Sequence, residues 1–337
     1  MADTRVDHSM TWNSKKVVVT GAGGFIGSHL VERLIGLGAD VTAFVRYNSR
    51  NDASLLEFIG EQKKQIRIVY GDLRELETIQ NLLRDQEVVF HLAALVGIPY
   101  SYRHPNEVVD VNTIGTLNVL TAARDHGLAN VVVASTSEVY GSAQYVPIDE
   151  NHPKQPQSPY SASKIAADAI ALSFHNAFAL PVTVVRPFNT YGPRQSDRAI
   201  IPTLICQALT RDEIVVGNLS PTRDFTYVTD TVDGFIRAAE SKEALGHEMN
   251  LGTGSEVSIG ELAEEILSMV GRQLNVRQTD ERKRPSASEV NRLLSNNERA
   301  KRLTGWEPRV SLRDGLAMTI EFVKGHPNLY APESYRI

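Results

Sequence analysis

The sequence predicts an α/β fold in which a doubly wound parallel sheet carries a smaller C-terminal lobe. Short β-branched runs alternate with helix-period segments through the first half, the pattern of right-handed βαβ crossovers. The second half changes character and is punctuated at Pro187, Gly192, Pro193, Pro202, Gly217 and Pro221. The length of 337 residues suits about two domains of ~150 residues each.

Taken in order, residues 1–14 are polar and lack the apolar core of a signal peptide, so a loose, flexible leader is expected there. Strands are predicted at 17–19, 41–45, 66–70, 88–92, 131–135 and 182–186, with helices at 26–35 and 108–125 between them. A further short strand at 249–252 precedes helix-like stretches that end near Lys324. The sheet domain is therefore expected over 15–190, with segments around 225–252 returning to it, and the second lobe mainly over 191–337.

Composition narrows the function classes. Apolar residues at 42% and charged residues at 22% are ordinary globular values. A net charge of -5 argues against a nucleic-acid partner, which wants a basic surface. No apolar stretch approaches the ~20 residues of a membrane span, so no membrane association is expected. The single cysteine, Cys206, excludes an internal disulfide and suits a reducing, cytoplasmic setting; its apolar surroundings mark it as a small core residue. No metal site is expected.

The first predicted strand runs into Thr20-Gly21-Ala22-Gly23-Gly24-Phe25-Ile26-Gly27 and then a helix. Gly21, Gly24 and Gly27 allow a tight turn, close approach of backbone to a pyrophosphate, and close helix–strand packing. In that context they predict a dinucleotide cradle and a Rossmann-like sheet, with Phe25 and Ile26 in its first helical turn. An acidic residue closing the second strand would bond the ribose 2′-hydroxyl of NAD. Here Arg46, Ser49 and Arg50 stand instead, suited to a 2′-phosphate, so NADP is favoured and NAD stays open. Asp72 and Leu73 after the third strand suit the adenine, and Leu92, Ala93 and Ala94 after the fourth leave room for the cofactor.

Three further segments carry chemistry. Tyr160 and Lys164 are spaced i, i+4 on a predicted helix, so one face presents a phenol and an ammonium that favours its ionised form. Thr136, Ser137 and Glu138 follow the fifth strand, at the carboxyl edge where open α/β sheets bind ligands. Thr136 suits a sugar hydroxyl, and Glu138 offers a second proton-transfer group. Arg186-Pro187-Phe188-Asn189 follows the sixth strand: Pro187 fixes the chain at the nicotinamide end, and Asn189 can reach a sugar or phosphate. Arg194, Arg223 and Arg284 are cations suited to a diphosphate, although each alone is as compatible with an ordinary surface.

These motifs, with RPFNTYGPRQ and SPTRDFTYVTDTVDG, resemble the extended short-chain dehydrogenases that modify nucleotide sugars, over roughly residues 15–325. Thr136-Ser137-Glu138 is similar to the strip of the 4,6-dehydratases, and the arginines after strand two to GDP-mannose 4,6-dehydratase. FVRYNSRND, HLAALVGIPYSY and STSEVYGSAQYVPIDE resemble the nucleotide-N-acetylglucosamine 4,6-dehydratases of legionaminic acid biosynthesis. One departure is that dTDP-glucose dehydratases carry Asp-Glu where this chain has Ser137-Glu138.

The resemblance implies a tightly bound cofactor regenerated in each cycle, a nucleotide-diphosphate sugar substrate, and a homodimer packed through the helix after Asn106 and the helix of Tyr160. It implies transient oxidation at C4, loss of water across C5 and C6, and hydride return to C6. A C4 epimerase shares the first step but needs no carboxylate at position 138. A UDP-glucuronate decarboxylase shares Thr-Ser-Glu but needs an arginine clamp. A silent dinucleotide-binding sensor is opposed by the presence of Thr136, Glu138, Tyr160 and Lys164 together.

Overall fold

The computed structural model describes residues 11–50, 52–279 and 290–330. Seven strands form one sheet: β1 (Lys16–Thr20), β2 (Asp40–Arg46), β3 (Arg67–Gly71), β4 (Val88–His91), β5 (Asn130–Ala134), β6 (Val182–Pro187) and β7 (Glu248–Leu251). All are parallel, in the order β7-β6-β5-β4-β1-β2-β3. Outside the edge strand β3 their β-branched residues are buried, as Val17, Val18, Val19 and Val131, Val132, Val133 show. Burial on both faces explains why these strands read as continuous apolar runs rather than alternations.

Helices α1 (Phe25–Gly36) and α6 (Val228–Glu240) cover one face of the sheet. The other face carries α2 (Leu76–Leu83), α3 (Gly115–Asp125) and α4 (Pro159–Phe178). Strand order reverses between β1 and β4, and a crevice opens at such a switch point outside the carboxyl ends of the strands. In the C-terminal part, α5 (Ile200–Thr210), α7 (Ile259–Val270) and α8 (Leu312–Gly325) pack together. Short ladders join Asn189–Tyr191 to Phe225–Tyr227 and Thr222–Arg223 to its neighbours at Val257–Ser258 and Arg292–Leu293. β7 is the segment by which the second half returns to the main sheet. No described helix is long and apolar enough to cross a membrane.

Two expectations need correction. The flexible leader over 1–14 falls mostly on residues 1–10, outside those described. Its end is packed: Trp12 is buried near Phe90 and its indole donates to Glu240 at 2.7 Å. The helix expected over 108–125 is continuous but widened by a π-helical turn at Asp110–Ile114. There Asn112 turns inward, its side chain accepting from the Leu95 amide at 2.7 Å and donating to Ser163 Oγ at 3.0 Å. The wider turn satisfies those buried partners, and a 3.6-residue period cannot reveal it.

Candidate active site

The glycine turn forms because only small residues fit where three backbones meet. Gly21 has φ +70, and a Cβ on it would stand 2.7 Å from the Ala93 amide nitrogen. A Cβ on Gly27 would lie 2.1 Å from the Gly21 carbonyl oxygen. Gly24 caps α1 without a side-chain bond, so no side chain occupies the first-turn N–H groups. Phe25 and Ile26 are half-buried in that turn, and Leu92, Ala93 and Ala94 are half-buried beside it at the end of β4. Beneath the turn, His91 bonds Thr20 at 2.8 Å and Thr116 at 3.0 Å, and burial depresses its pKa to about 3.

At the end of β2, Arg46 is exposed and lies 3.6 Å from the Glu107 carboxylate; Ser49 and Arg50 are exposed in the turn that follows. Asp72 is engaged by Arg74 at 2.6 Å, a bond that holds its carboxyl below the usual range. Leu73 is buried, with its carbonyl accepting from Asn118 and its side chain against Gly115.

The strip after β5 meets the start of α4. Thr136 caps the turn Ser137–Tyr140, its hydroxyl accepting from the Glu138 amide at 3.2 Å. The same side chain hydrogen-bonds the Tyr160 phenol, whose pKa is raised chiefly by burial, with Thr136 opposing and the Glu138 charge adding. Glu138 is half-buried and Ser137 buried. Phenol, hydroxyl and carboxylate thus converge.

Lys164 is buried one helical turn beyond Tyr160 and donates to the Ala134 carbonyl at 2.7 Å. Burial lowers its pKa, and the charge of Asp168 opposes that shift. The protein groups facing the phenol therefore hold it above its ordinary value, contrary to the simple expectation from an i, i+4 pair.

After β6, Pro187 is half-buried in the ladder with Leu251, and Asn189 Oδ1 is buried with no hydrogen-bond partner. An orphaned amide oxygen beside this strip is a ready acceptor for a ligand hydroxyl. Arg223 is buried and donates to its neighbour's carbonyl at 2.9 Å. Arg194, expected at a diphosphate, has protein partners on α1. Its backbone has φ +68, and its guanidinium turns toward α1, ion-paired with Glu32 at 2.7 Å. Arg284 lies outside the described residues.

Several residues that shape the site carried no role in the sequence reading. Asp168, Ser135, Arg186, Asn112 and Ser163 are buried and bonded to one another or to the strip. Asp168 repeats the Tyr160–Lys164 spacing by one more turn, and Arg186 is a lone charge in an apolar strand; those were the available signals.

A parallel sheet with a glycine cradle at its switch point, facing a Tyr-Lys helix and a Thr-Ser-Glu strip, defines a dinucleotide-dependent enzyme of the short-chain dehydrogenase type. The sequence model of the family described as GDP-mannose 4,6 dehydratase matches residues 18–319. The chain belongs to this family, within the extended short-chain dehydrogenases whose members are nucleotide-sugar epimerases, dehydratases and decarboxylases. It is 34% identical to UDP-glucose 4-epimerase of Mycolicibacterium smegmatis, over 92% of this chain and 98% of that one. It is 30% identical to human dTDP-D-glucose 4,6-dehydratase, over 92% and 90%. The crystal structure of the dTDP-glucose 4,6-dehydratase DesIV from Streptomyces venezuelae, with NAD and TYD bound, superposes with a TM-score of 0.84 at 28% identity, covering 94% of this chain and 99% of that one.

Proposed function

We propose that this chain is a nucleotide-sugar 4,6-dehydratase acting on an NDP-hexose, with NDP-N-acetylglucosamine as its substrate, and that residues 15–190 hold the cofactor while 191–337 mainly hold the sugar nucleotide. The observation that carries the reading is the half-buried Glu138 carboxylate within electrostatic reach of the Tyr160 phenol. A reaction confined to C4 needs one proton-transfer group; water loss needs a second.

The glycine cradle and the free Asn189 oxygen fit a dinucleotide and its sugar partner. Bound there, a nicotinamide supplies the hydride acceptor for C4 and the donor for C6. Tyr160, assisted by Thr136, takes the proton of the C4 hydroxyl. Lys164, one turn below, adds positive charge that favours the phenolate. The C4 ketone acidifies the C5 hydrogen, which Glu138 removes. Hydroxide then leaves C6 as water, its proton delivered by Glu138 or through Ser137. Reprotonation at C5 completes a 4-keto-6-deoxy sugar with no net oxidation. Asn189, Arg223 and Arg284 are assigned to the sugar nucleotide.

The finer cofactor preference is for NADP, supported by Arg46, Ser49 and Arg50 and by the lack of a carboxylate closing β2. A homodimer is supported by the exposed apolar side chains Val109 and Ile114 along one helical segment and Tyr102 on the short helix before it.

The test is incubation with GDP-, UDP- and dTDP-hexoses and each dinucleotide, with products read by mass for loss of one water. Glu138→Gln should still oxidise C4 but lose dehydration by about 100-fold or more, the scale of a general base. Dehydration retained by that variant would remove the assignment. The second reading is a C4 epimerase, favoured by the identity to the mycobacterial epimerase. A product of unchanged mass with inverted C4 would establish it.

A further inference from the structure

Asp168 lies two turns beyond Tyr160 and one beyond Lys164 on the same face of α4, and is fully buried. Its Oδ2 accepts from Ser135 Oγ at 2.8 Å and from Arg186 Nε and Nη2 at 3.1 and 2.9 Å. Its Oδ1 is buried and takes no hydrogen bond. Lys164 grips the Ala134 carbonyl, one residue before the Ser135 that Asp168 holds. The two α4 side chains therefore pin adjacent residues at the end of β5, immediately before Thr136.

The charge balance points the same way. The buried ammonium bonds the Ala134 carbonyl of β5 and feels the Asp168 charge from α4, while its own charge reaches His91 on β4. Ser135, just past β5, and Arg186 from β6 bond Asp168, and Glu138 and Asp168 both act on the Tyr160 phenol. His91 is neutral, its pKa depressed by burial. Arg186 has a second carboxylate of its own in Glu248 and also donates to Tyr140 at 2.9 Å. Asp168 is thus shared between a guanidinium that has another counter-ion and an ammonium whose direct bond is to a carbonyl.

We propose that Asp168 is a positioning residue for proton transfer: it supplies the counter-charge that keeps Lys164 an ammonium and, through Ser135, fixes the end of β5 that aims Thr136 and Glu138. Without that charge, burial favours the neutral amine, and the Tyr160 phenol loses the cation that supports its ionised form. The Asp168 charge by itself raises the phenol pKa, so loss of the nearer ammonium must outweigh loss of the carboxylate two turns away. The inference rests on Tyr160 being the base. It is independent of whether the later step is water loss or epimerisation.

The test compares Asp168→Asn, Asp168→Glu and Ser135→Ala. C4 oxidation is followed by reduced-nicotinamide absorbance across pH, and phenol ionisation by ultraviolet difference spectra of each variant against the same protein carrying Tyr160→Phe. In Asp168→Asn, the acid limb of the rate profile and the phenol titration should both move up by about one unit, a tenfold slower reaction at neutral pH that recovers in alkali. Asp168→Glu and Ser135→Ala retain the charge and should slow the reaction without moving either midpoint. Because Glu248 still pairs Arg186, the amide variant should fold; Asp168→Ser, which leaves room for a water, is the second charge-free variant. A folded charge-free variant with wild-type midpoints overturns the proposal. So does failure of both charge-free variants to fold while Asp168→Glu folds, which would assign Asp168 to stability alone. Undiminished C4 oxidation by Tyr160→Phe would instead overturn the reading of the base itself.

Discussion

Arg194 shows how a side chain can be right in type and placed elsewhere. As a cation in a glycine-proline turn it suits a diphosphate, yet its guanidinium reaches Glu32 and Ser28 on α1 and is almost wholly buried. Buried ion pairs resist removal of one partner, because the other is left unpaired in low dielectric. Arg194→Ala should therefore lower thermal stability, by about 1 kcal/mol, a modest loss because the Glu32 carboxylate is partly solvated. If the side chain serves the fold alone, the variant's KM for the sugar nucleotide should stay within about twofold. A large KM increase with unchanged melting would return Arg194 to the substrate. That Tyr160 and Lys164 share a helix face was legible from their spacing, and that Thr136 and Glu138 follow a strand end from the β-branched run before them. The pairing of Arg194 with α1 was not legible, because its partners are distant in sequence and its positive φ is not announced by the residue type.

At the scale of elements, β-branched runs marked the first six strands of the sheet, and the returning strand β7, which contains none, was still visible near its true limits. The π turn and the clamp of Asn112 were invisible because they answer to partners distant in sequence, Leu95 and Ser163. That turn also governs the outer surface of the segment. It leaves Val109 and Ile114 exposed on either side of the inward Asn112, near Tyr102. Adjacent exposed apolar residues on helices with a small-residue neighbour suit a self-complementary two-fold contact. Val109→Glu with Ile114→Glu should convert a dimer to a monomer in sedimentation equilibrium, with cofactor affinity retained. A wild-type chain that sediments as a monomer at micromolar concentration removes this surface from consideration.

Across the whole molecule, two neutral histidines tie layers together. His91 joins β1 to α3 through Thr20 and Thr116, and His29 joins α1 to the chain after β6 by bonding the Pro193 carbonyl at 3.0 Å. Burial brings the His29 pKa to about 4, with the Pro193 bond opposing and the Arg194 charge assisting. Its ordinary value is 6.5, so between those limits the unfolded chain binds a proton that the folded chain refuses. Stability is thus intact above pH 6.5 and declines as pH falls toward 4, at about 1.4 kcal/mol per unit for that one group. Glu150, Asp224 and Asp230, whose buried carboxyls are raised, act in the opposite sense, so the raw pH profile mixes both. Comparing wild type with His29→Gln isolates the histidine, because the carboxyls are common to both and glutamine can still donate to Pro193. Urea unfolding at pH 6.5 and pH 5 should show wild type losing about 2 kcal/mol more than the variant. Equal losses would mean that His29 is solvated enough to take its proton in the folded state, and the seam between α1 and the chain after β6 would then be open to water.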